Sequence, residues 1–364
     1  MIMINNNPIS EELFNSMKKD RVVRQQIMSG SFNYFFHFYF AHYVQFPTAA
    51  FQRDLIGKLE NEPDEHLFVV AFRGSGESTI VTPAVPIWPI LGKQEKKFVV
   101  IFCQTRVQAK QHMMNIRNEL ENNQLLKNDL GPFSEESDEW GSHSIVFSNT
   151  KARITVASTE QSIRGLRHHQ HRPDLFICDD VEDVASTKTR EGRNKTYQWL
   201  TGDVIPAGDQ GTRLIVIGNL LHEDSLLMRL RERVFKKELD GTFMSCAIAD
   251  AKGKSNWPGK FPNAKALDKE RKKIGDEVSW QREYLLNIIP DDDQVIHPDW
   301  IQYYHADKLP EINTKAYRAT YSGVDLAISV KDTADCTSLV SARIYGRNEK
   351  LRIFIMPQPY NQRL

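Results

Sequence analysis

The segment His66-Leu-Phe-Val-Val-Ala-Phe-Arg-Gly-Ser-Gly-Glu-Ser-Thr79 sets an apolar run of strand length before a glycine-rich turn and two hydroxyls. This order delivers a buried strand into a helix start, so that the backbone N–H groups of Gly74, Ser75 and Gly76 can face an anion. Ser78 or Thr79 would supply the hydroxyl that holds Mg2+. A phosphate loop of this kind carries a lysine before its hydroxyls, a point positive charge for the β- and γ-phosphates. Glu77 stands in that place, and a carboxylate there repels phosphate. Arg73, four residues earlier, is the only cation within the loop that could compensate.

A second group of chemistry-bearing residues closes the apolar run Asp174-Leu-Phe-Ile-Cys-Asp-Asp180, followed by Glu182 and Asp183. Carboxylates at the carboxyl end of a buried strand lie where α/β proteins bind ligands. Asp179 would be an outer ligand of Mg2+, with Asp180 or Glu182 orienting or deprotonating an attacking water. The plain alternative is a strand followed by an acidic turn or helix start. Thr212-Arg-Leu-Ile-Val-Ile-Gly-Asn219 is another buried strand, and Asn219 at its end reads either as a sensor of the γ-phosphate or as part of a Gly-Asn turn. Gln104-Thr-Arg106 reads as a capped helix start or a DNA-facing sensor.

Arg164, Arg167 and Arg172 cluster with His168, His169 and His171 just before the acidic strand. One arginine of this loop could stabilise charge on a transferring phosphoryl group. A histidine metal site lacks partner ligands in the sequence, which favours a polar loop facing DNA or solvent. Gln52 reads as an adenine contact or, more plainly, as a helical surface glutamine.

These residues need elements to hold them. The chain has 364 residues, 40% hydrophobic and 26% charged, a soluble composition long enough for two domains. Forty-seven basic residues balance forty-seven acidic ones, so any nucleic-acid contact must come from local patches. Cys103, Cys178, Cys246 and Cys336 are far apart, which argues against a zinc ribbon or a disulfide framework. No apolar run approaches the roughly 20 residues of a membrane span, and the start lacks a cleavable-signal pattern, so a cytoplasmic protein is expected.

Residues 9–62 carry helical spacing and aromatics, including Phe32-Asn-Tyr-Phe-Phe-His-Phe-Tyr-Phe40. Strand-like runs follow at 67–72, 97–103, 144–148, 152–157, 174–178 and 213–217, alternating with helical stretches, which predicts an α/β fold with a parallel sheet. The run at 97–103 falls between the loop strand and the acidic strand, a spacing similar to the ATPases in which an added strand intervenes. Pro83, Pro86 and Pro89 follow the loop, and interior prolines cost about 3 kcal/mol each, so the helix there must be short and bent or no longer selected for nucleotide binding.

The order of several segments resembles the large subunit of a tailed-phage terminase. They are Arg73-Gly-Ser-Gly-x-Ser-Thr79, Gln161-Ser-Ile-Arg-Gly-Leu-Arg167, His171 to Asp180, Ile217-Gly-Asn219, Trp257-Pro-Gly-Lys-Phe-Pro262, Trp280-Gln-Arg-Glu-Tyr-Leu285 and Val295-Ile-His-Pro-Asp-Trp300. The resemblance implies a P-loop ATPase of the ASCE type, with a helical lead-in over 1–62, the ATPase domain over 63–290, and a linker with the start of a ribonuclease-H-like nuclease over 291–364. It implies ATP and Mg2+ as cofactors. It implies double-stranded DNA, a portal protein and a small terminase subunit as partners, a homo-oligomeric ring, and no membrane. It favours Arg164 or Arg167 as the phosphoryl-contacting arginine.

Tyr321-Ser-Gly-Val-Asp-Leu-Ala327 and Asp335-Cys-Thr-Ser-Leu-Val340 resemble the opening strands of that nuclease, with Asp325 as its first metal ligand. Two-metal cleavage needs carboxylates from several strands, and the sequence leaves no room for the later ones, so a truncated nuclease without bound metals is expected. Three readings follow. The first is a packaging motor with Arg73 replacing the lysine, and the second an inactive prophage remnant that keeps DNA or portal binding. The third, a helicase-like ATPase, would need a second lobe where the Asp325 strand stands.

Overall fold

The computed structural model describes residues 3–4, 7–8, 11–61, 65–134, 139–161, 163, 165–288, 302–326, 337–357 and 359–362. It divides into two units, Met1–Ile289 and Pro290–Leu364.

Four helices precede the sheet of the first unit: α1 (Glu11–Lys19), α2 (Arg21–Gly30), α3 (Phe32–Tyr39) and α4 (Ala50–Asn61). Asp20 caps α2 by accepting from the N–H groups of Val22 and Val23, and Ser31 caps α3 by accepting from Tyr34. In α3, Phe32, Phe35, Phe36 and Tyr39 are buried at one helical face spacing, which turns the aromatic run into a core-facing stripe.

Seven strands follow: β1 (Leu67–Ala71), β2 (Phe98–Cys103), β3 (Ser144–Val146), β4 (Arg153–Ser158), β5 (Leu175–Asp179), β6 (Arg213–Gly218) and β7 (Thr242–Cys246). Their lateral order is β3-β4-β2-β5-β6-β1-β7. Only β3 runs antiparallel to its neighbour. Every residue of β1, β2, β5 and β6 is buried, because helices cover both faces, and such strands read as continuous apolar runs.

Between β1 and β2 lie α5 (Glu77–Ala84) and α6 (Trp88–Leu91), and between β2 and β3 lie α7 (Arg106–Asn122) and α8 (Gln124–Leu130). Between β5 and β6 come α9 (Val184–Lys188), α10 (Arg190–Trp199), a π-helical turn at Leu200–Val204 and α11 (Ile205–Ala207). The helix α12 (Leu226–Phe235) precedes β7, and α13 (Ala264–Ile274) and α14 (Glu277–Glu283) follow it. Alternate strand residues feed opposite cores. Leu67, Val69 and Ile101 pack with Phe36, Ile56, Val81 and Met113, whereas Phe68, Val70 and Phe102 pack with Trp199, Leu227 and Leu230.

Two sequence expectations meet the structure here. The prolines make the helix after the loop short: α5 ends at Ala84 with Pro83 in its last turn, and Pro89 opens α6. The strand that intervenes between β1 and β5 is β6, whereas 97–103 pairs on the far side of β5. Position in the chain does not fix position in a parallel sheet, because each crossover helix can carry the next strand past its predecessor.

The helices α2 and α3 are tied to α8 by one buried cluster. The Arg24 guanidinium donates to both carboxylate oxygens of Asp129 at 2.5 and 2.6 Å, and the Tyr39 hydroxyl donates to Asp129 at 2.9 Å. The second unit holds an antiparallel sheet of β8 (Tyr317–Asp325), β9 (Thr337–Tyr345), β10 (Arg352–Ile355) and β11 (Tyr360–Gln362), with β9 pairing with the other three. Among the described residues no helix is long and apolar enough to cross a membrane.

Candidate nucleotide-binding site

The chain leaves β1 at the carboxyl edge of the sheet and turns into α5. The Ser75 N–H donates to the Phe72 carbonyl at 3.0 Å, closing the turn, and the Arg73 N–H donates to the Glu283 carbonyl at 2.8 Å. Gly76 has φ 86°, a left-handed conformation that suits glycine, and a Cβ there would lie 3.2 Å from the Gln52 side-chain nitrogen. Gln52 is buried on α4. Its Nε2 donates to the Ser75 carbonyl at 2.6 Å and its Oε1 accepts from Ala49 N at 2.9 Å. The amide therefore ties the loop to the start of α4 from a buried position, in contrast to the surface glutamine expected from the sequence.

Asp179, at the end of β5, brings the two sequence sites together. Its buried carboxylate accepts from Thr82 Oγ1 at 2.8 Å and from Ser78 Oγ at 3.2 Å, both on α5. His112 of α7 places Nε2 3.4 Å from the same carboxylate. Burial pushes Asp179 above the usual carboxylate range, opposed by the two hydroxyl donors.

Asp180 is exposed and has φ 46°, so the chain twists out of the strand immediately after Asp179. Partial desolvation by the surrounding protein, then the charge of Asp179, push its carboxyl up to about 6. The Asn219 N–H donates to it, and Gly218 makes room, since a Cβ there would lie 3.3 Å from Asp180 Oδ1. Glu182 is engaged differently: its Oε2 accepts from Leu226 N at 2.8 Å at the start of α12. Its Oε1 is buried without a hydrogen-bond partner among the described residues, and burial pushes the carboxyl up to about 7.

A cavity of about 630 Å³ opens beside the loop. Gly74, Gly76, Glu77, Ser78 and Thr79 form one wall, and Tyr43, Phe46 and Trp257 contribute aromatic surface. Glu77 is half-buried and accepts a hydrogen bond from the Ser75 hydroxyl. Burial raises its carboxyl to about 8, with Asp179 and Asp180 adding to the rise and Lys260 opposing it. Arg73, the cation expected to compensate, has a side chain 63% exposed and pairs with Glu283 of α14.

Arg164 lies outside the described residues. Arg167 is exposed on the loop after β4. Arg172 donates to the Pro206 carbonyl at 3.3 Å. His168 is buried with its ring bonded to the Lys151 carbonyl at 2.8 Å and its backbone paired with His171, so this histidine holds a hairpin turn together. No group of three or more metal-ligating side chains occurs among the described residues. Thr105 and Gln108 form a capping box at the start of α7, which accounts for Gln104-Thr-Arg106 as a helix start. Asp325, at the end of β8 in the second unit, is exposed and pairs across the strands with Ser338.

Two residues at the site were not singled out in the sequence. His112 carries no local signal, since only the packing of α7 brings it to Asp179. Lys260 lies in the Trp257-Pro-Gly-Lys turn, 186 residues from Gly74, whose carbonyl it meets at 2.7 Å.

No protein-family model matches the sequence, and no curated protein does. Several solved structures do. Bacteriophage large terminases are among them. The large terminase of bacteriophage HK97 is 17% identical over 85% of this chain, with a TM-score of 0.46. That of a thermophilic bacteriophage is 9% identical over 86% of this chain and 69% of its own length, also at 0.46. The ATPase domain of the Thermus phage P74-26 large terminase, solved as a point mutant, is 13% identical over 66% of this chain and 99% of its own, at 0.41. The chain spans 63% of the length of the HK97 terminase.

Proposed function

We propose that this chain is a P-loop ATPase of the packaging-terminase type, binding Mg2+ and ATP at the end of β1 and coupling hydrolysis to movement of double-stranded DNA. The observation that carries the reading is the junction of loop and acidic strand, where Ser78 and Thr82 donate to the buried Asp179. A serine hydroxyl facing a strand-end carboxylate is an oxygen donor set that suits Mg2+. Bound there, Mg2+ would neutralise charge on the β- and γ-phosphates. Backbone N–H groups of 74–79 would hold the phosphates, the aromatic wall would take the base, and Asp180 would position water. Glu182 would link the acidic strand to α12.

The DNA, portal and small-subunit partners, the ring and the bacterial cytoplasm rest on the order of sequence segments that resemble the terminase large subunit. We assign the ATPase domain to 63–290. A second reading, a non-hydrolysing protein that retains DNA or portal binding, is favoured by one observation: Glu77 holds the Ser75 hydroxyl inside the loop. ATP turnover by the purified chain, with and without double-stranded DNA, separates the two. Turnover stimulated by DNA and lost in Asp179→Ala supports the motor; no turnover in the intact chain supports the second reading.

A further inference from the structure

The loop lacks its lysine, yet the cavity holds an ammonium group. Among the described residues that line it, Lys260 is the one lysine or arginine. The geometry points to Lys260 as the cation that meets the β- and γ-phosphates of the bound nucleotide, in place of the lysine absent at position 77. This inference rests on the ATP-binding reading above and deepens it.

Lys260 is placed by its own turn. The Phe261 N–H donates to the Trp257 carbonyl at 2.8 Å, and the Trp257 indole N–H donates to the Pro47 carbonyl at 2.8 Å. Gly259 lets this turn press against the same segment, since a Cβ there would lie 2.9 Å from the Pro47 carbonyl oxygen. The lysine head then sits 4.9 Å from the Trp257 ring centroid and 5.4 Å from that of Phe261. Contact of the head with these rings restricts the side chain before any ligand arrives, which lowers the ordering cost of binding.

The head lies at the mouth of the loop. Its Nζ donates to the Gly74 carbonyl at 2.7 Å and is 3.5 Å from the point a Cβ on Gly74 would occupy. An ammonium has three donors, so two remain for phosphate oxygens. No ion pair holds Lys260 among the described residues, whereas Arg73 pairs with Glu283. Burial lowers the lysine's pKa while Glu270 and Glu77 oppose the fall, as expected for a cation partly removed from water. A lysine arriving from a distant turn gives the loop the same charge that its own sequence omits.

Calorimetric titration of the intact chain with Mg2+–ATP, and separately with adenosine, tests this. The variants are Lys260→Met, which keeps an unbranched side chain and removes the charge, Lys260→Arg, Glu77→Lys, and Glu77→Lys combined with Lys260→Met. The expected result is a loss of at least about tenfold in ATP affinity for Lys260→Met, since a hydrogen bond to a charged group contributes about 1.5–3 kcal/mol. Adenosine affinity stays unchanged, Lys260→Arg keeps ATP affinity within a few fold, and the double variant binds ATP as well as Glu77→Lys alone. Equal ATP binding by the wild type and Lys260→Met would overturn the assignment of Lys260 and leave the nucleotide site standing. Binding by Glu77→Lys but not by the wild type would also overturn it. Binding by neither would overturn the ATP site itself and this inference with it.

Discussion

At position 77 a carboxylate stands between the Gly74-Ser-Gly76 turn and the hydroxyls of Ser78 and Thr79, and the structure shows how the fold accommodates it. Glu77 is drawn toward its protonated form, at about 8 against an ordinary 4.5. Asp180 and Glu182, raised to about 6 and about 7, share the direction. A carboxyl whose folded pKa is raised binds its proton more tightly in the folded chain. Its contribution to stability is full below its unfolded pKa and is lost as pH rises through the folded value. Melting temperature is therefore expected to fall between about pH 5 and pH 8, and Glu77→Gln to flatten that slope, most visibly above pH 7. Thermal melts across this range check it; an unchanged slope in Glu77→Gln would place the titration elsewhere. Asp179 behaves likewise, as a buried carboxylate held by two hydroxyls. Asp179→Asn, whose amide oxygen can still accept from Thr82, is expected to melt no lower than the wild type near pH 7 while losing Mg2+-dependent ATP turnover, measured side by side. Residue types at 73–79 and 179–182 were legible in the sequence because each motif is contiguous. The pairing of Arg73 with Glu283, the clamp by Gln52, and the arrival of His112 and Lys260 were not, because each contact joins residues distant in the chain.

The elements make those contacts possible. The turn from β1 into α5 depends on Gly76 in a left-handed conformation against Gln52. Gly76→Ala is expected to cost about 1–2 kcal/mol from the backbone conformation, with a further cost as Gln52 is displaced. Denaturant unfolding measures it, and a neutral effect would mean that the loop takes another path. The N-terminal helices are fastened to α8 through Arg24, Asp129 and Tyr39. Removing one partner of a buried ion pair leaves a charge uncompensated, so Asp129→Ala is expected to lose about 3–5 kcal/mol in the same experiment. The strands at 67–72, 97–103 and 174–178 were readable from the sequence because burial on both faces demands uninterrupted apolar runs. The strand β7 was missed for the converse reason: Thr242-Phe-Met-Ser-Cys246 is only half-buried at the sheet edge and its composition is mixed. Lateral order escaped as well, since hydrophobicity marks a strand but not its neighbours, and β6 takes the place beside β1 that spacing along the chain suggests for 97–103.

Across the whole molecule, the three hydrophobic cores of the first unit are built from residues between Met17 and Ile288. A chain ending at 289 is therefore expected to fold with a melting temperature within about 5 °C of the full chain and to keep its nucleotide affinity, which melting and titration of the truncated protein would show. A much lower melting temperature would mean that 290–364 completes the first unit's stability. The sequence indicated the α/β sheet, because strand-like and helical runs alternate along residues 67–217, whereas the strands of the second unit were expected only from the resemblance of 321–327 and 335–340 to a nuclease opening. It could not indicate that a turn at 257–260 meets the loop at 73–79, since that contact depends on the packing of Trp257 and Phe261 with Phe72. We propose that the carboxyl edge of β1 and β5 forms one Mg2+–ATP site. Its most direct test is a crystal structure of the chain soaked with Mn2+ and a non-hydrolysable ATP analogue. The expected result is an anomalous manganese peak within coordination distance of Ser78 Oγ, next to Asp179, with the triphosphate along residues 74–79. An analogue seated elsewhere, or a manganese peak away from Ser78 and Asp179, would contradict it.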